Sequence, residues 1–179
     1  MGHAQPDLSR RQLLRGAITR PATSAIRPPW ALDESAFLTT CTRCDDCIAV
    51  CHAKIIRRGD GGYPEISFKR AGCDFCGDCL IACKPAALWR DPNQPENALP
   101  WSLQITIAPQ CLPLNGVVCR SCGEACEPRA IHFKLSIGGR AEPRLDADQC
   151  TGCGECFSVC PIHAISIQPA SPPTEECAS

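Results

Sequence analysis

The sequence is short of aromatic residues, of net charge and of long apolar runs. It has 3 Trp, 1 Tyr and 5 Phe in 179 residues, so the large side chains that usually dominate core burial are scarce. The formal net charge is −1, which gives no electrostatic footprint for nucleic acid or for an anionic lipid surface. No run approaches the roughly 18 apolar residues that a membrane-spanning helix needs. We therefore predict no nucleic-acid binding and no membrane span.

Cysteine is the residue in excess, with 17 in the chain. This content is typical of a small protein held together by disulfides or metal rather than by a large core. Three stretches share the spacing C-x2-C-x2-C-x3-C, namely CTRCDDCIAVC, CDFCGDCLIAC and CTGCGECFSVC. Their cysteines are Cys41, Cys44, Cys47 and Cys51; Cys73, Cys76, Cys79 and Cys83; and Cys150, Cys153, Cys156 and Cys160.

A fourth stretch, CLPLNGVVCRSCGEACEP, keeps the later spacings of this motif but has a longer first gap. Cys111 stands eight residues before Cys119, and Cys122 and Cys126 follow at the regular intervals. We expect these four residues to form a further ligand set. The alternative is that Cys111 is a small buried hydrophobe and that this set holds its metal weakly or not at all.

The regular spacing is the one that ligates 4Fe-4S clusters in bacterial ferredoxins. Two residues between ligands let a tight loop wrap three corners of the cluster, and we expect the fourth cysteine to start a short helix. In two-cluster ferredoxins that fourth cysteine binds the other cluster. The predicted sets are Cys41, Cys44, Cys47 with Cys83; Cys73, Cys76, Cys79 with Cys51; Cys160 with Cys111 or Cys119 and with Cys122; and Cys150, Cys153, Cys156 with Cys126.

A disulfide framework and zinc are the two alternatives to iron-sulfur clusters. Closely spaced cysteines would close only short loops, whereas the stabilisation from a disulfide grows with loop length. Zinc sites also use C-x2-C pairs, but a third cysteine two residues on and a fourth after three more is not their usual arrangement. We therefore predict three or four 4Fe-4S clusters.

The cluster motifs occur as two pairs separated by RDPNQPENALPW, in which three prolines interrupt any regular element. Short alternating segments on either side of glycine-rich turns, IIRR with PEISF and AIHFKLSI with PRLD, predict a hairpin in each half. We predict an α+β fold of two tandem bacterial-type 4Fe-4S ferredoxin-like modules with short strands and short helices around the clusters. The predicted parts are an N-terminal segment (1–34), a two-cluster module (35–90), a linker (91–102), a module with one or two clusters (103–169) and a disordered tail (170–179).

Taken together, the three regular runs, the stretched CLPLNGVVCRSCGEACEP, their duplicated order and the SRRQLLRG segment ahead of them resemble NapF-type ferredoxin proteins of periplasmic nitrate reductase systems. The resemblance implies an iron-sulfur accessory protein in the cytoplasm. It would bind the precursor of the nitrate reductase catalytic subunit and assist maturation, by electron transfer or by loading the subunit's 4Fe-4S cluster. The alternative is a general low-potential ferredoxin-type electron carrier to a reductase.

An enzymatic role is not expected. The sequence has no Gly-rich nucleotide loop and no nucleophile with a matched base, and cysteine fills the open valences of each predicted cluster. His52 follows Cys51 directly, and we interpret it as a solvated histidine. Cys177 is interpreted as an exposed thiol with no role in ligation.

The stretch LSRRQLLRGA, residues 8–17, begins like a twin-arginine export signal. A signal also needs an apolar region of about 7–15 residues, but Arg15, Arg20 and Pro21 interrupt the chain here. Ser9 with Gln12 has the form of a capping box, and the leucines after it predict a short amphipathic helix over 8–18. We therefore predict a cytoplasmic protein whose N-terminal segment is either a partner-binding helix or a solvated tail.

Overall fold

The computed structural model describes residues 25–95, 98–135 and 141–170, and within them the chain forms five short helices and six short strands. The helices are α1 (Glu34–Thr40), α2 (Asp46–Val50), α3 (Asp78–Ala82), α4 (Ser121–Glu124) and α5 (Glu155–Ser158). The strands are β1 (Ile56–Arg58), β2 (Pro64–Ile66), β3 (Leu103–Ile107), β4 (Ile131–Leu135), β5 (Ala141–Leu145) and β6 (Ile165–Pro169). Such short elements are marginal by themselves, so their stability depends on what they pack against.

Each half of the chain contains one of the predicted hairpins. In the first half β1 pairs with β2 in antiparallel register, with Ile56 opposite Ile66. A 3₁₀ turn at Asp60–Gly62 connects them, and Gly61 takes a left-handed φ of 66° there, which a glycine adopts without steric cost. In the second half β4 pairs with β5, with Ile131 opposite Leu145.

In each half, the segments that precede and follow the hairpin in sequence contact each other in antiparallel fashion, a pairing that the sequence patterns did not reveal. In the second half β3 pairs with β6, and Ile105 lies opposite Ile167. In the first half the corresponding contact is a single bridge between Ala31 and Leu88. Helix α2 packs against α3, and α4 packs against α5. The two halves therefore repeat one arrangement of helix pair, hairpin and outer strand contact, which belongs to the predicted α+β class.

Two small apolar cores lie beside the helix pairs. The first contains the fully buried Phe37 and Ile55, and the second is built around Ile105, Ile131 and Ile165. Side chains from the second half also pack against the first core: Trp101, Leu103, Phe157 and Ile167. The halves consequently share an apolar interface.

Helix α1 leads directly into the first cysteine motif. The Asp33 carboxylate caps its N-terminus by accepting from the Ala36 N–H over 3.1 Å, and Cys41 stands at its C-terminal end. The helix buries Phe37 against the first core. An N-cap of this kind satisfies one of the backbone donors that a helix start leaves open, so Asp33 helps to fix the position of Cys41.

Two predictions lie outside the described residues: the amphipathic helix over 8–18 and the exposed thiol of Cys177. Among the helices that are described, none has the length and apolar character that crossing a bilayer requires.

Candidate functional site

The three regular cysteine motifs share one unusual backbone path. The residues on either side of the second cysteine all have positive φ: Arg43 (60°) and Asp45 (67°), Phe75 (57°) and Gly77 (83°), and Gly152 (73°) and Gly154 (82°). A non-glycine residue in this region costs about 1–2 kcal/mol, so its recurrence indicates a conformation that the surrounding site imposes. The repeated left-handed steps turn each short loop tightly around its cysteines.

A short helix follows each loop and carries the third cysteine, not the fourth. Cys47, Cys79, Cys122 and Cys156 lie within α2, α3, α4 and α5, respectively. The fourth cysteine stands at the end of the helix, as Cys51 and Cys83 do at the C-caps of α2 and α3. The prediction that the fourth cysteine starts a helix was therefore wrong. Each helix begins one residue before the third cysteine and ends before the fourth.

The cysteines gather around cavities, and each cavity draws on two motifs. We call these groups site I (Cys41, Cys44, Cys47 and Cys83), site II (Cys51, Cys73, Cys76 and Cys79) and site III (Cys111, Cys119, Cys122 and Cys160). In each of these three cavities, three cysteines come from one motif and one comes from its partner motif. The structure thus brings together three of the four sets that the crossing pattern predicts.

The remaining cysteines form site IV (Cys126, Cys150, Cys153 and Cys156). Burial raises the pKa of Cys150, and the nearby charges of Cys153 and Cys126 raise it further. Cys156 is buried, and among the thiols whose charge acts on it are those of Cys153, Cys150 and Cys126. Cys126 and Cys150 also pack against the core that contains Cys156, so the fourth predicted set lies in one region of the second half, close to Cys122 of site III, whose charge acts on Cys156 as well.

Burial raises the pKa of the thiols carried by the helices. The value rises to about 11 for Cys47 and Cys122 and to about 12 for Cys79 and Cys156. A buried thiolate without a cation is unfavourable, because burial in apolar surroundings penalises the charged form. Four thiols around an apolar cavity are instead the donor set of a thiolate-ligated metal centre, and 4Fe-4S clusters take such a set.

The stretched motif accommodates its extra residues in a compact turn. Leu112–Asn115 forms a 3₁₀ turn, and Gly116 reverses the chain with a φ of 82°. The Asn115 side-chain amide donates to the carbonyl oxygens of Pro109 (2.9 Å) and Cys111 (3.0 Å). Cys111 is buried, as both interpretations of this residue expect. Cys111 lies beside Cys119, Cys122 and Cys160 around one cavity. This position favours a ligand role for Cys111 over the role of an isolated buried hydrophobic residue.

The same turn follows the fourth cysteine in all four motifs. Three residues later the chain takes a left-handed φ of 51–58°, at Lys54, Ala86, Arg129 and His163. The N–H of each of these residues donates to the carbonyl oxygen of its cysteine over 2.9–3.2 Å. The motif of Cys51 lacks a nearby proline, yet it makes this turn as the others do. Proline is therefore not required for the local geometry.

Backbone amides also donate hydrogen bonds to the fourth cysteines, which line the cavity of the partner motif. The N–H of Leu88 donates to the Cys83 Sγ over 3.3 Å, and the N–H of Ala164 donates to the Cys160 Sγ over 3.2 Å. Hydrogen bonds to ligating sulfur stabilise its negative charge and tune cluster potential. The sequence spacing predicts ligands but carries no signal for these donors, because any non-proline residue can supply an N–H.

Apolar side chains line the cavities only in part as predicted. Site I is bordered by Phe37, Ala87 and Leu88, and site III by Leu112 and Ile165. From the sequence, the apolar residues of CLIAC and CFSVC predict a sheath that keeps water from the clusters, formed by Leu80, Ile81, Phe157 and Val159. Leu80 and Phe157 pack against the first core. Ile81 does not take part, because 82% of it is exposed. Its place on the outer face of the one-turn helix α3 explains the difference.

His52 is exposed, as expected, but it is paired. Its Nε2 lies 2.6 Å from the Asp74 carboxylate, and its Nδ1 lies 4.0 Å from the Cys76 Sγ. The hydrogen bond with Asp74 raises the pKa of His52. Asp74 stands directly after Cys73, so the pair joins the two motifs that build site II. Sequence spacing gave no indication of this contact.

Comparison with known proteins places the same two regions in recognised domains. Residues 40–88 and residues 117–164 each match a family model described as a 4Fe-4S dicluster domain. The second match includes Cys119, Cys122 and Cys126 but begins after Cys111. The chain thus carries two tandem dicluster domains.

Curated relatives match the chain over most of its length. The chain is 46% identical over 162 residues to the ferredoxin-type protein NapF of Escherichia coli K12, with 90% of this chain and 95% of that protein covered. It is 41% identical to the ferredoxin-type protein NapF of Haemophilus influenzae, with 90% and 94% covered. Identity to the ferredoxin-type protein NapG of Escherichia coli K12 is 28%, with 88% and 76% covered. With this identity across almost its whole length, the chain belongs to the NapF family of ferredoxin-type proteins.

Proposed function

We propose that sites I to IV each bind one 4Fe-4S cluster and that the chain serves nitrate reduction as an iron-sulfur electron-transfer protein. The observation that carries this proposal is that twelve cysteines gather in sets of four around three cavities, each set drawn from two motifs, while Cys126, Cys150 and Cys156 lie together at the second core. Such an exchange of the fourth ligand is characteristic of two-cluster ferredoxins. Two dicluster domains and membership in the NapF family support it.

The cysteines do not all lie at the same depth. Cys44 of site I and Cys76 of site II are exposed, while the third cysteine of each of these sites is buried. Electron exchange with another protein needs a close approach to the cluster, and these exposed ligands offer it. With cysteine filling the ligand positions, substrate has no place to bind directly to iron. The chain is therefore proposed as an electron carrier or accessory protein and not as an enzyme.

The proposed partner is the cytoplasmic precursor of the periplasmic nitrate reductase catalytic subunit. Family membership supports this partner, and the thiol chemistry supports the compartment, since clustered thiols stay reduced in the cytoplasm. In this role the chain assists maturation of the precursor, by giving it electrons or by loading its 4Fe-4S cluster. The N-terminal residues Arg10 and Arg11 are the proposed contact.

Anaerobic co-purification tests this role against that of a general electron carrier. The tagged chain is expected to retain the reductase precursor, and Arg10→Ala with Arg11→Ala is expected to weaken the complex while leaving the iron content unchanged. Lys69→Ala with Arg70→Ala is the matched control, because it also removes two adjacent basic residues and both of these are exposed. If no precursor is retained while the purified chain is reduced and reoxidised rapidly, the accessory role is wrong and the carrier role stands.

A further inference from the structure

The ligand loops of site II and site IV touch each other across the two halves. The N–H of Cys73 donates to the carbonyl oxygen of Cys153 over 2.8 Å. One residue earlier, the N–H of Gly72 donates to the Glu155 carboxylate over 2.6 Å. Both bonds connect residues about 80 positions apart in sequence, and a hydrogen bond to a carboxylate is among the stronger kinds. We call these four residues the junction.

The backbones at the junction approach so closely that Gly72 has no room for a side chain. A Cβ atom at this position would lie 2.8 Å from the Glu155 nitrogen and 2.9 Å from the Cys153 carbonyl oxygen. Both neighbours are backbone atoms, which cannot rotate away. Gly72 does not have a positive φ, so this glycine is needed for space and not for its backbone conformation.

Trp101 fills the space beside the junction and contacts both ligand loops. Its ring packs edge-on against Phe75, which stands between Cys73 and Cys76, with centroids 5.7 Å apart. Its indole N–H donates to the carbonyl oxygen of Thr151, which stands between Cys150 and Cys153, over 3.2 Å. A second edge-on contact joins it to Phe68. The interface between the halves is thus centred on these two loops.

We propose that the junction makes sites II and IV neighbours and that Glu155 is the residue that positions them. Within each half, the exchanged cysteines already link site I to site II and site III to site IV. The four sites then follow one another in space as I, II, IV and III, which differs from their order in the sequence. Sites I and III are the outer sites. This proposal rests on the proposed binding of clusters at sites II and IV.

Glu155 differs in this respect from the corresponding residues of the other regular motifs. Asp46 and Asp78 also stand immediately before the third cysteine, but they carry the shorter acidic side chain. Asp78 faces His52 within its own half. Asp46→Ala therefore removes a carboxylate from the same motif position without touching the junction, which makes it the matched control for Glu155→Ala.

Hydrogen exchange followed by mass spectrometry of the iron-loaded chain tests the positioning role. Glu155→Ala is expected to speed exchange of the Gly72 and Cys73 amides by about tenfold, because Gly72 loses a charge-assisted acceptor. Glu155→Gln keeps an acceptor oxygen and is expected to restore much of the protection, and Asp46→Ala is expected to leave it unchanged. Equal exchange in Glu155→Ala and the parent chain would overturn the role of Glu155.

Electron paramagnetic resonance tests whether sites II and IV are neighbours. In a chain carrying Cys44→Ala and Cys119→Ala, which each remove a ligand from an outer site, the clusters left to reduce are those of sites II and IV. Dithionite then gives each cluster one electron and an unpaired spin, and we expect the two spins to broaden and split each other's signals. Adding Glu155→Ala or Gly72→Ala is expected to diminish that interaction.

The outcomes separate this proposal from the proposed cluster binding. Two sharp and independent signals from an iron-loaded sample would overturn the adjacency of sites II and IV and leave cluster binding intact. A chain without iron or sulfide would overturn cluster binding itself. If the doubly substituted chain does not fold, hydrogen exchange of the parent chain still tests the proposal. Rapid exchange of the Gly72 and Cys73 amides would show that the hydrogen bonds of the junction do not form.

Discussion

The N–H of Arg129 donates to the carbonyl oxygen of Cys126 over 2.9 Å, and Arg129 holds a left-handed φ of 53°. The residues three places after Cys51, Cys83 and Cys160 make the same bond in the same conformation. The motif with the long first gap therefore ends as the regular motifs end. This shared turn indicates that the four motifs meet one structural requirement, for which binding of a common cluster type is the simplest explanation.

Cys111→Ala is predicted to empty site III. The change removes one of four thiolate ligands, and iron and sulfide per chain are expected to fall by about a quarter. Iron analysis of anaerobically purified protein measures this loss. Cys177→Ala serves as the control because the sequence assigns that thiol no ligand role, and it is expected to leave the iron content unchanged. Equal iron content in both variants would show that Cys111 is not a ligand.

Cys51→Ser is predicted to remove the cluster of site II, although Cys51 belongs to the motif that builds site I. The prediction follows from the cavity in which Cys51 lies with Cys73, Cys76 and Cys79. The reduced spectrum of Cys51→Ser in electron paramagnetic resonance is expected to match that of Cys76→Ser and to differ from that of Cys44→Ser. A match with Cys44→Ser instead would mean that the fourth ligand is not exchanged.

Arg27→Lys is predicted to destabilise the first half of the chain. The Arg27 guanidinium binds both carboxylate oxygens of Glu34 and lies 5.1 Å from the Phe37 ring centroid. Lysine keeps the charge but loses the planar fork and the stacking, which together are worth about 1 kcal/mol. The thermal unfolding midpoint of the iron-loaded chain is expected to fall by about 2–4 °C.

Arg57→Lys is the control for this substitution, because Arg57 pairs with Glu65 while 58% of its side chain is exposed. An exposed ion pair contributes little to stability. Arg57→Lys is therefore expected to lower the unfolding midpoint by less than Arg27→Lys does. A larger effect at position 57 than at position 27 would contradict the anchoring role of Arg27.

Asp33 is predicted to stabilise α1 in a pH-dependent way. The N–H of Ala36 and then the Ser35 hydroxyl hydrogen-bond its carboxylate and lower its pKa. A carboxyl whose pKa is lowered by folding contributes stability above its ordinary pKa, and this contribution is lost as the pH falls through the folded-state value. Asp33→Ala is therefore expected to lower the unfolding midpoint by the same amount from pH 8 to about pH 5, and by less as the pH falls below the ordinary pKa of aspartate.

Asp33→Asn is the informative companion, since asparagine caps helices about as well as aspartate. Its unfolding midpoint is expected to stay near that of the parent chain. If Asp33→Asn and Asp33→Ala lower the midpoint equally, the side-chain cap has no role in holding α1 and, through it, Cys41.

The sequence predicts those features that are encoded by local spacing. The three regular motifs, the duplicated order and both hairpins follow from residue patterns within short windows. The helices could not be placed correctly in the same way. We assigned the fourth cysteine to the start of a helix, but Cys51 and Cys83 stand at helix ends, because the left-handed step after the second cysteine already starts the helix.

Contacts between distant segments could not be predicted from one sequence. The pairing of β3 with β6 and the bonds from Gly72 to Glu155 and from Cys73 to Cys153 depend on how the halves meet. Trp101 was assigned to a linker, where its neighbours in sequence gave no hint of its contacts with Phe75 and Thr151. A glycine that is needed for space, such as Gly72, is indistinguishable in sequence from one in a flexible loop.

Iron and acid-labile sulfide analysis of the anaerobically purified chain tests the central claim most directly. Four sites that each hold a 4Fe-4S cluster predict about sixteen iron atoms and about sixteen sulfides per chain. About twelve of each would mean that one set stays empty, and Cys111→Ala would then identify it if that change causes no further loss. A folded, colourless chain with zinc or with no metal would contradict the account.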